Sequence, residues 1–163
     1  MLRHLVNIIL YYLPPTRLFS LRRLFLKLSG TFINKNAKFS GRSWIYGRGK
    51  LTIEKNTWLS PGVVFYTHID SEIFIGKNCD IGPEVKFIIG SHKIGSQKRR
   101  AGIGTAKPII IEEGCWIGAN VIILEGVKVG KGSIIAAGAI VNKDIKENVL
   151  MAGVPAVFKK KLN

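Results

Sequence analysis

A chain of 163 residues with 25 Lys and Arg against 10 Asp and Glu has a formal charge of +15 and length for one domain plus a short appendage. Its 18 Gly, 6 Pro and abundant Ile argue against disorder and for β structure. The cationic surplus asks for an anionic partner: nucleic acid, a phosphorylated ligand or a lipid headgroup surface.

Residues 1–30 differ in pattern from the remainder of the chain. Leu5 to Leu13 is an apolar run of helical character, too short to span a bilayer, and Pro14-Pro15 stops it. Arg17 to Ser29 sets Leu18, Leu21, Phe25 and Leu28 at helical spacing, with Arg22, Arg23 and Lys27 elsewhere on the surface. No acidic residue precedes Glu54. Two readings stand for this segment. One is a helical cap over the open end of a repeat array; the other is a basic, aromatic anchor lying in a membrane interface. No apolar stretch ends in a small-residue cleavage site, so a signal peptide is not expected.

From residue 31 to 163 a different rule governs. Every sixth residue from Ile111 to Val141 is β-branched and aliphatic: Ile111, Ile117, Ile123, Val129, Ile135, Val141. A period of six is neither helical nor that of an alternating strand; it marks an internal repeat. A five-residue signature opens each repeat: INKNA at Ile33, IEKNT at Ile53, IGKNC at Ile75, IEEGC at Ile111 and VGKGS at Val129. Two further hexads follow each start, at Phe39 and Ile45, Leu59 and Phe65, Ile81 and Phe87, Ile117 and Ile123, Ile135 and Val141. Three hexads make one turn of a triangular prism, so about five coils are expected. Asn or Gly at the fourth signature position suits a tight corner with positive φ.

The coils are unevenly spaced. Ile45 to Ile53 has two extra residues, Phe65 to Ile75 four and Phe87 to Ile111 eighteen, so all three insertions fall on one corner. Extra backbone gathered at one corner is where repeat proteins build binding surfaces. The longest insertion is expected as a basic, Gly-rich loop over residues 93–107. After Val141, Pro155 is expected to end the last coil and a basic tail, Lys159 to Lys161, to fold back along the prism. Cys79 and Cys115 occupy the small-residue position of the repeat, where they pack as small hydrophobes; free thiols fit a cytoplasmic setting.

Several stretches together resemble one family: Ile75-Gly76-Lys77-Asn78, Gly90-Ser91-His92, Lys107-Pro108-Ile109, Cys115 to Asn120, Gly126 to Gly130 and Ala152-Gly153-Val154-Pro155-Ala156. Over roughly residues 33–160 the chain is similar to the hexapeptide-repeat acyltransferases, nearest to the sugar, capsule and O-antigen O-acetyltransferases. The resemblance implies an all-β fold, a left-handed parallel β-helix. The hand comes from the family alone, because parallel crossovers are ordinarily right-handed. It also implies acetyl-CoA as acetyl donor, a sugar or glycan acceptor, and a homotrimer with sites between subunits.

The resemblance places candidate chemistry on particular residues. His92 falls on the family's catalytic histidine, and an imidazole is suited to take a proton from an attacking hydroxyl. Asp70 and His92 are each five residues beyond equivalent positions, Phe65 and Phe87, so they are expected about one strand spacing apart (roughly 4.8 Å) where register persists. Asp70 then touches the acceptor, orients His92 or merely caps the corner; His68, in the same insertion, either helps bind acceptor or is structural. The galactoside and maltose enzymes carry an acceptor-site Asn where this chain has Gly62, which separates it from a simple galactoside or maltose substrate. Trp116 matches the position beside the pantetheine thiol. Ala119 and Ala137 match positions whose amides bind the cofactor, and Asn142, Lys143 and Lys160 match or neighbour those meeting its phosphates.

Inward-facing cysteines leave no acyl-enzyme nucleophile, so direct transfer is expected. No metal is expected: carbonic anhydrases of this fold use three histidines, and the third here, His4, lies in the appendage. The expectation is therefore a cytoplasmic acetyl-CoA-dependent O-acetyltransferase, with peripheral contact at the inner face of the membrane as one of the two readings of residues 1–30. Two rivals remain: an N-acetyltransferase acting on an amino sugar nucleotide or on serine, and a non-catalytic β-helix that binds glycan or membrane. Nucleic acid is not expected, because no recognition motif accompanies the charge.

Overall fold

The computed structural model describes residues 1–163. It is a parallel β-solenoid of triangular section behind two short helices. The periodic residues stack in three ladders, one on each face. Ile33, Ile53, Ile75, Ile111 and Val129 are in register on the first face. Phe39, Leu59, Ile81, Ile117, Ile135 and Met151 line the second. Ile45, Phe65, Phe87, Ile123 and Val141 line the third. Apart from Met151, every one of these side chains is buried. They point inward because strand side chains alternate, so a two-residue strand offers one residue to the core, and the longer first-face strands offer a second, Leu51, Ile73 or Ile109. On the third face the core is aromatic: Phe65 and Phe87 stack with centroids 5.0 Å apart and planes 4° from parallel.

The signature's fourth position does turn with positive φ at Asn56, Asn78, Gly114 and Gly132, between the first and second faces. The equivalent residue of the first coil, Asn36, does not. The corner between the second and third faces repeats the device at Arg42, Gly62, Glu84, Asn120 and Gly138. The solenoid also goes one step further than the five hexad-spaced coils. Ile145 bridges Val129, Asn148 turns with φ 53° and Met151 pairs Ile135, which begins a sixth coil. Ile145 comes four residues after Val141 instead of six, which hides it from a six-residue period. Beyond it, Val157–Lys161 returns antiparallel on Val149–Ala152, so the basic tail does fold back.

All three insertions lie at the corner between the third and first faces. The longest is not an irregular loop. Gly90–Ile94 pairs with Ala101–Ala106 as an antiparallel hairpin, with a bulge between His92 and Ile94. Its backbone groups leave the prism and so have no coil to bond to; pairing with each other satisfies them.

The helices α1 (Leu2–Tyr12) and α2 (Phe19–Leu28) cover the open end of the prism. That end would otherwise expose a strand edge and the apolar core. Asn7 replaces a missing coil: its Nδ2 donates to the Ile45 carbonyl at 2.9 Å, and its Oδ1 accepts the Ile45 N–H at 3.2 Å. Arg22 is fully buried with no acid beside it. Its guanidinium donates instead to the carbonyls of Leu10, Leu13, Pro14 and Arg17 at 2.8–3.1 Å. These include the last carbonyls of α1, where a cation also meets the negative end of the helix dipole.

Along the corner between the first and second faces, Glu113 sits between Lys131 and Lys77, the latter at 2.7 Å. The two ammonium groups, Lys131 foremost, hold its carboxyl down to about 2. Beside it Glu112 bridges Lys128 Nζ at 2.7 Å and the Lys131 amide at 3.0 Å.

This packing is open to two tests. Arg22→Met leaves several buried carbonyls without a donor and should cost about 2–4 kcal/mol, read as a lower urea midpoint; an unchanged midpoint would mean the cap lends the solenoid no stability. Glu113 has a folded pKa below its unfolded one, so its contribution is complete above the ordinary carboxylate range and is lost as pH falls through about 2. Glu113→Gln should therefore lower the melting temperature at neutral pH, with the difference shrinking in acid; a pH-independent difference would contradict the ion ladder.

Candidate active site

One groove, about 660 Å³, runs along the second face and its corner with the third. Its floor comes from the outward residues that precede each inward one. Trp58, Asp80, Trp116, Ile134 and Leu150 stand in register on successive coils, and the returning tail supplies Lys160 and Leu162 as a rim. Four of the six residues expected to hold the cofactor, Trp116, Ala119, Ala137 and Lys160, line this one groove. The Trp116 side chain is not core: it is 57% exposed.

The groove's chemistry comes from a gap in the backbone ladder. The neighbouring amides are used: Gly118 donates to Ile135 O, Asn120 to Pro83 O and Gly138 to Ala119 O. The amides of Ala119 and Ala137 donate to no protein acceptor. Two donors on successive coils are thus left for a ligand. Close stacking of the coils depends on Gly118, where an added Cβ would come within 2.5 Å of the Ala137 nitrogen, and on Gly82, where it would come within 2.7 Å of the Ala119 nitrogen. An apolar wall with an indole, two free amides and a lysine at the rim suits a long ligand with amide groups and an anionic end.

His92 is on a different side of the molecule. It sits on the first strand of the hairpin, opposite Gly104, exposed, and its ring makes no hydrogen bond within the chain. The hairpin leaves from the corner between the third and first faces, which in a triangular prism is the vertex opposite the second face. Asp70 and His68 lie at that same corner on the preceding coil. Asp70 is engaged locally: its Oδ2 is 3.5 Å from His68 Nδ1, and its N–H donates to the same nitrogen at 3.3 Å. The register between these coils ends at Tyr66 with Ile88. Beyond it one chain turns back within five residues to begin Glu72–Ile75, and the other leaves as the hairpin. No direct Asp70–His92 hydrogen bond forms in the single chain.

Asn142 and Lys143 are exposed at the corner following Val141, outside the groove. Gly62 forms a turn with φ 79° between the second and third faces and does not adjoin His92. Cys79 and Cys115 are buried, their sulfurs 3.1 and 3.3 Å from the Glu112 and Gly130 carbonyls. The neighbouring Cys115 sulfur and burial push the Cys79 thiol up. Neither sulfur lines the groove. Trp58, Ser60 and Asp80 are groove residues that the motifs did not single out; the residue immediately before each second-face core position includes Trp58 and Asp80.

Residues 108–143 match the family described as bacterial transferase hexapeptide (six repeats). The galactoside O-acetyltransferase of Lactococcus lactis is 42% identical over 94 residues, which cover 58% of this chain and 45% of that protein. WcaF of Escherichia coli, named as a putative colanic acid biosynthesis acetyltransferase, is 32% identical over 143 residues, 88% of this chain and 76% of its own. A hexapeptide-repeat-containing acetyltransferase of Vibrio cholerae, solved with acetyl-coenzyme A, superposes with a TM-score of 0.75 at 27% identity, over 99% of this chain and 86% of that one. The match therefore spans about half the Lactococcus relative and about three quarters of WcaF. The solenoid is the left-handed parallel β-helix of these acetyltransferases.

Proposed function

Because this chain belongs to the hexapeptide-repeat acetyltransferases, we propose that it transfers acetyl from acetyl-coenzyme A directly to a hydroxyl of a sugar or polysaccharide precursor. The observation that carries this reading is the groove in which Trp116 stands beside the two unpaired amides of Ala119 and Ala137. The pantetheine arm would lie against the apolar wall with its amides near those donors, and Lys160 would meet the phosphates as a point charge. His92 would take the proton of the acceptor hydroxyl as its oxygen attacks the thioester carbonyl. The new C–O bond forms, the C–S bond breaks and the thiolate of coenzyme A leaves. Asp70 and His68, paired with each other beside this corner, would contact the acceptor.

The prism makes an assembly part of the reading. One chain holds its groove on the second face and its base at the opposite vertex. A homotrimer about a threefold axis would bring the His92 hairpin of one subunit to the groove of the next, and the sites would lie between subunits. An imidazole without a hydrogen-bond partner in its own chain is consistent with a partner supplied by a neighbour or by the acceptor.

His92→Ala should lower kcat for acetylation of a responsive sugar by about 10²–10⁴ while leaving the KM for acetyl-CoA nearly unchanged; undiminished transfer would remove His92 from the chemistry. A parallel screen of hydroxyl and amine sugars decides between O- and N-transfer. The intersubunit site has its own test. His92→Ala and the groove-blocking Ala137→Trp should each be inactive alone. Coexpressed, they should recover about one quarter of wild-type activity, since random mixing gives most trimers one intact junction. A dead mixture of folded trimers would place each site within one chain.

A further inference from the structure

The helices α1 and α2 are apolar on the side that packs and also on the side that does not. In α1 the prism takes Val6, Asn7 and Leu10. At 100° per residue, Leu5, Ile8 and Tyr12 then project away from the prism, and all three are exposed. In α2 the buried side is Leu26 together with Arg22, which turns onto the carbonyls at the end of α1, and Leu21, Leu24 and Leu28 project away. Leu5, Leu24 and Leu28 are 54%, 53% and 60% exposed. Exposed leucines in such number on a water-facing end are unfavourable unless something covers them. Neither helix is long and apolar enough to cross a membrane.

The charge around this face says what covers it. No acidic residue precedes Glu54, so the whole capped end is cationic or neutral. Arg17, Lys27, Lys35, Arg42 and Arg48 are exposed there and take part in none of the ion pairs, whereas Arg3 and Arg22 are engaged by backbone carbonyls. A second copy docked cap to cap would press two acid-free ends together. An anionic bilayer instead offers acyl chains to the leucines and phosphates to the rim.

We propose that the helical cap is a membrane-docking face, which seats the solenoid end-on upon an anionic lipid surface. Resting on the trimer reading above, three parallel prisms would carry three such faces at one end of the assembly, in one plane. Binding of the second and third would then be intramolecular, and weak single contacts would add to firm attachment. The acceptor corner and the groove would stand on the walls of the prism, open to glycans held at the same surface.

Vesicle flotation of the full chain tests this. The wild type should float with vesicles of phosphatidylglycerol mixed into phosphatidylcholine and stay behind with phosphatidylcholine alone. Raising the salt from ~0.1 to ~1 M, where the Debye length falls to about 3 Å, should weaken the attachment. Leu5→Glu with Leu24→Glu should reduce the bound-to-free ratio by about tenfold or more. Both sites are exposed, and an unchanged melting curve would confirm that the variant folds. Wild type that ignores anionic vesicles, floats equally with neutral ones, or binds no better than the double variant would overturn the proposal. So would a lipid-free doubling of mass that the double variant abolishes without any vesicle binding, which would make a second copy the occupant. Sedimentation without lipid reads the trimer separately: a monomer that still floats would sink the trimer and leave the docking face standing.

Discussion

Each coil must set an apolar side chain directly over the one below it, about 4.8 Å away. In this chain Ile75, Ile111 and Val129 do so on one face, Ile81, Ile117 and Ile135 on the next, and Phe87, Ile123 and Val141 on the third. The constraint acts on every sixth residue and on the small residue four after it, as at Cys79, Cys115, Val121 and Ala139. It leaves the corners free to lengthen, provided the chain returns in phase. Thus the eighteen extra residues between Phe87 and Ile111 leave the core undisturbed: Ile111 still lands on Ile75. The same constraint makes both ends of the stack unstable surfaces. One is closed by the helices, through Asn7 and Arg22, and the other by the partial sixth coil and the returning tail.

The groove arises from what the ladder leaves over. Strand amides bond to the coil above or below, whereas the middle residue of a corner, such as Lys55, Lys77 or Glu113, leaves its amide without a protein acceptor. Ala119 and Ala137 are two such corner residues on successive coils, and Trp116 on the adjoining strand makes their corner part of the groove. The opposite vertex carries the irregular backbone, and with it His92, His68 and Asp70. A prism cannot bend to bring one vertex to the face across from it. Separation of His92 from the groove in one chain is thus a property of the scaffold, and association is the means by which such a scaffold could bring the two together.

Much of this was legible in the residues. The hexad positions named three core ladders from Ile33 to Val141, though not the buried first-face ladder of Leu51, Ile73 and Ile109, and the spacing of coil starts named the corner that carries the insertions. The groove was legible only through motif likeness: Trp116, Ala119, Ala137 and Lys160 converge there, whereas Asn142 and Lys143 do not. Three features were not legible. Ile145 broke the period, so the sixth coil was hidden. The hairpin of Gly90–Ile94 and Ala101–Ala106 has little apolar alternation to announce it, because it is exposed on both sides. Asp70 was placed by extending a register that stops at Tyr66, and its carboxylate faces His68.

The sequence by itself determined the periodic core, because burial of every sixth side chain is a local demand that each coil meets with its own residues. It also determined the charge of the capped end, which is a matter of composition. The tertiary structure decided where the unpaired amides point, which residues share a groove and which way the helices turn their second apolar side. Those depend on how one coil sits on another and on how the cap sits on the first, and no single repeat contains that information.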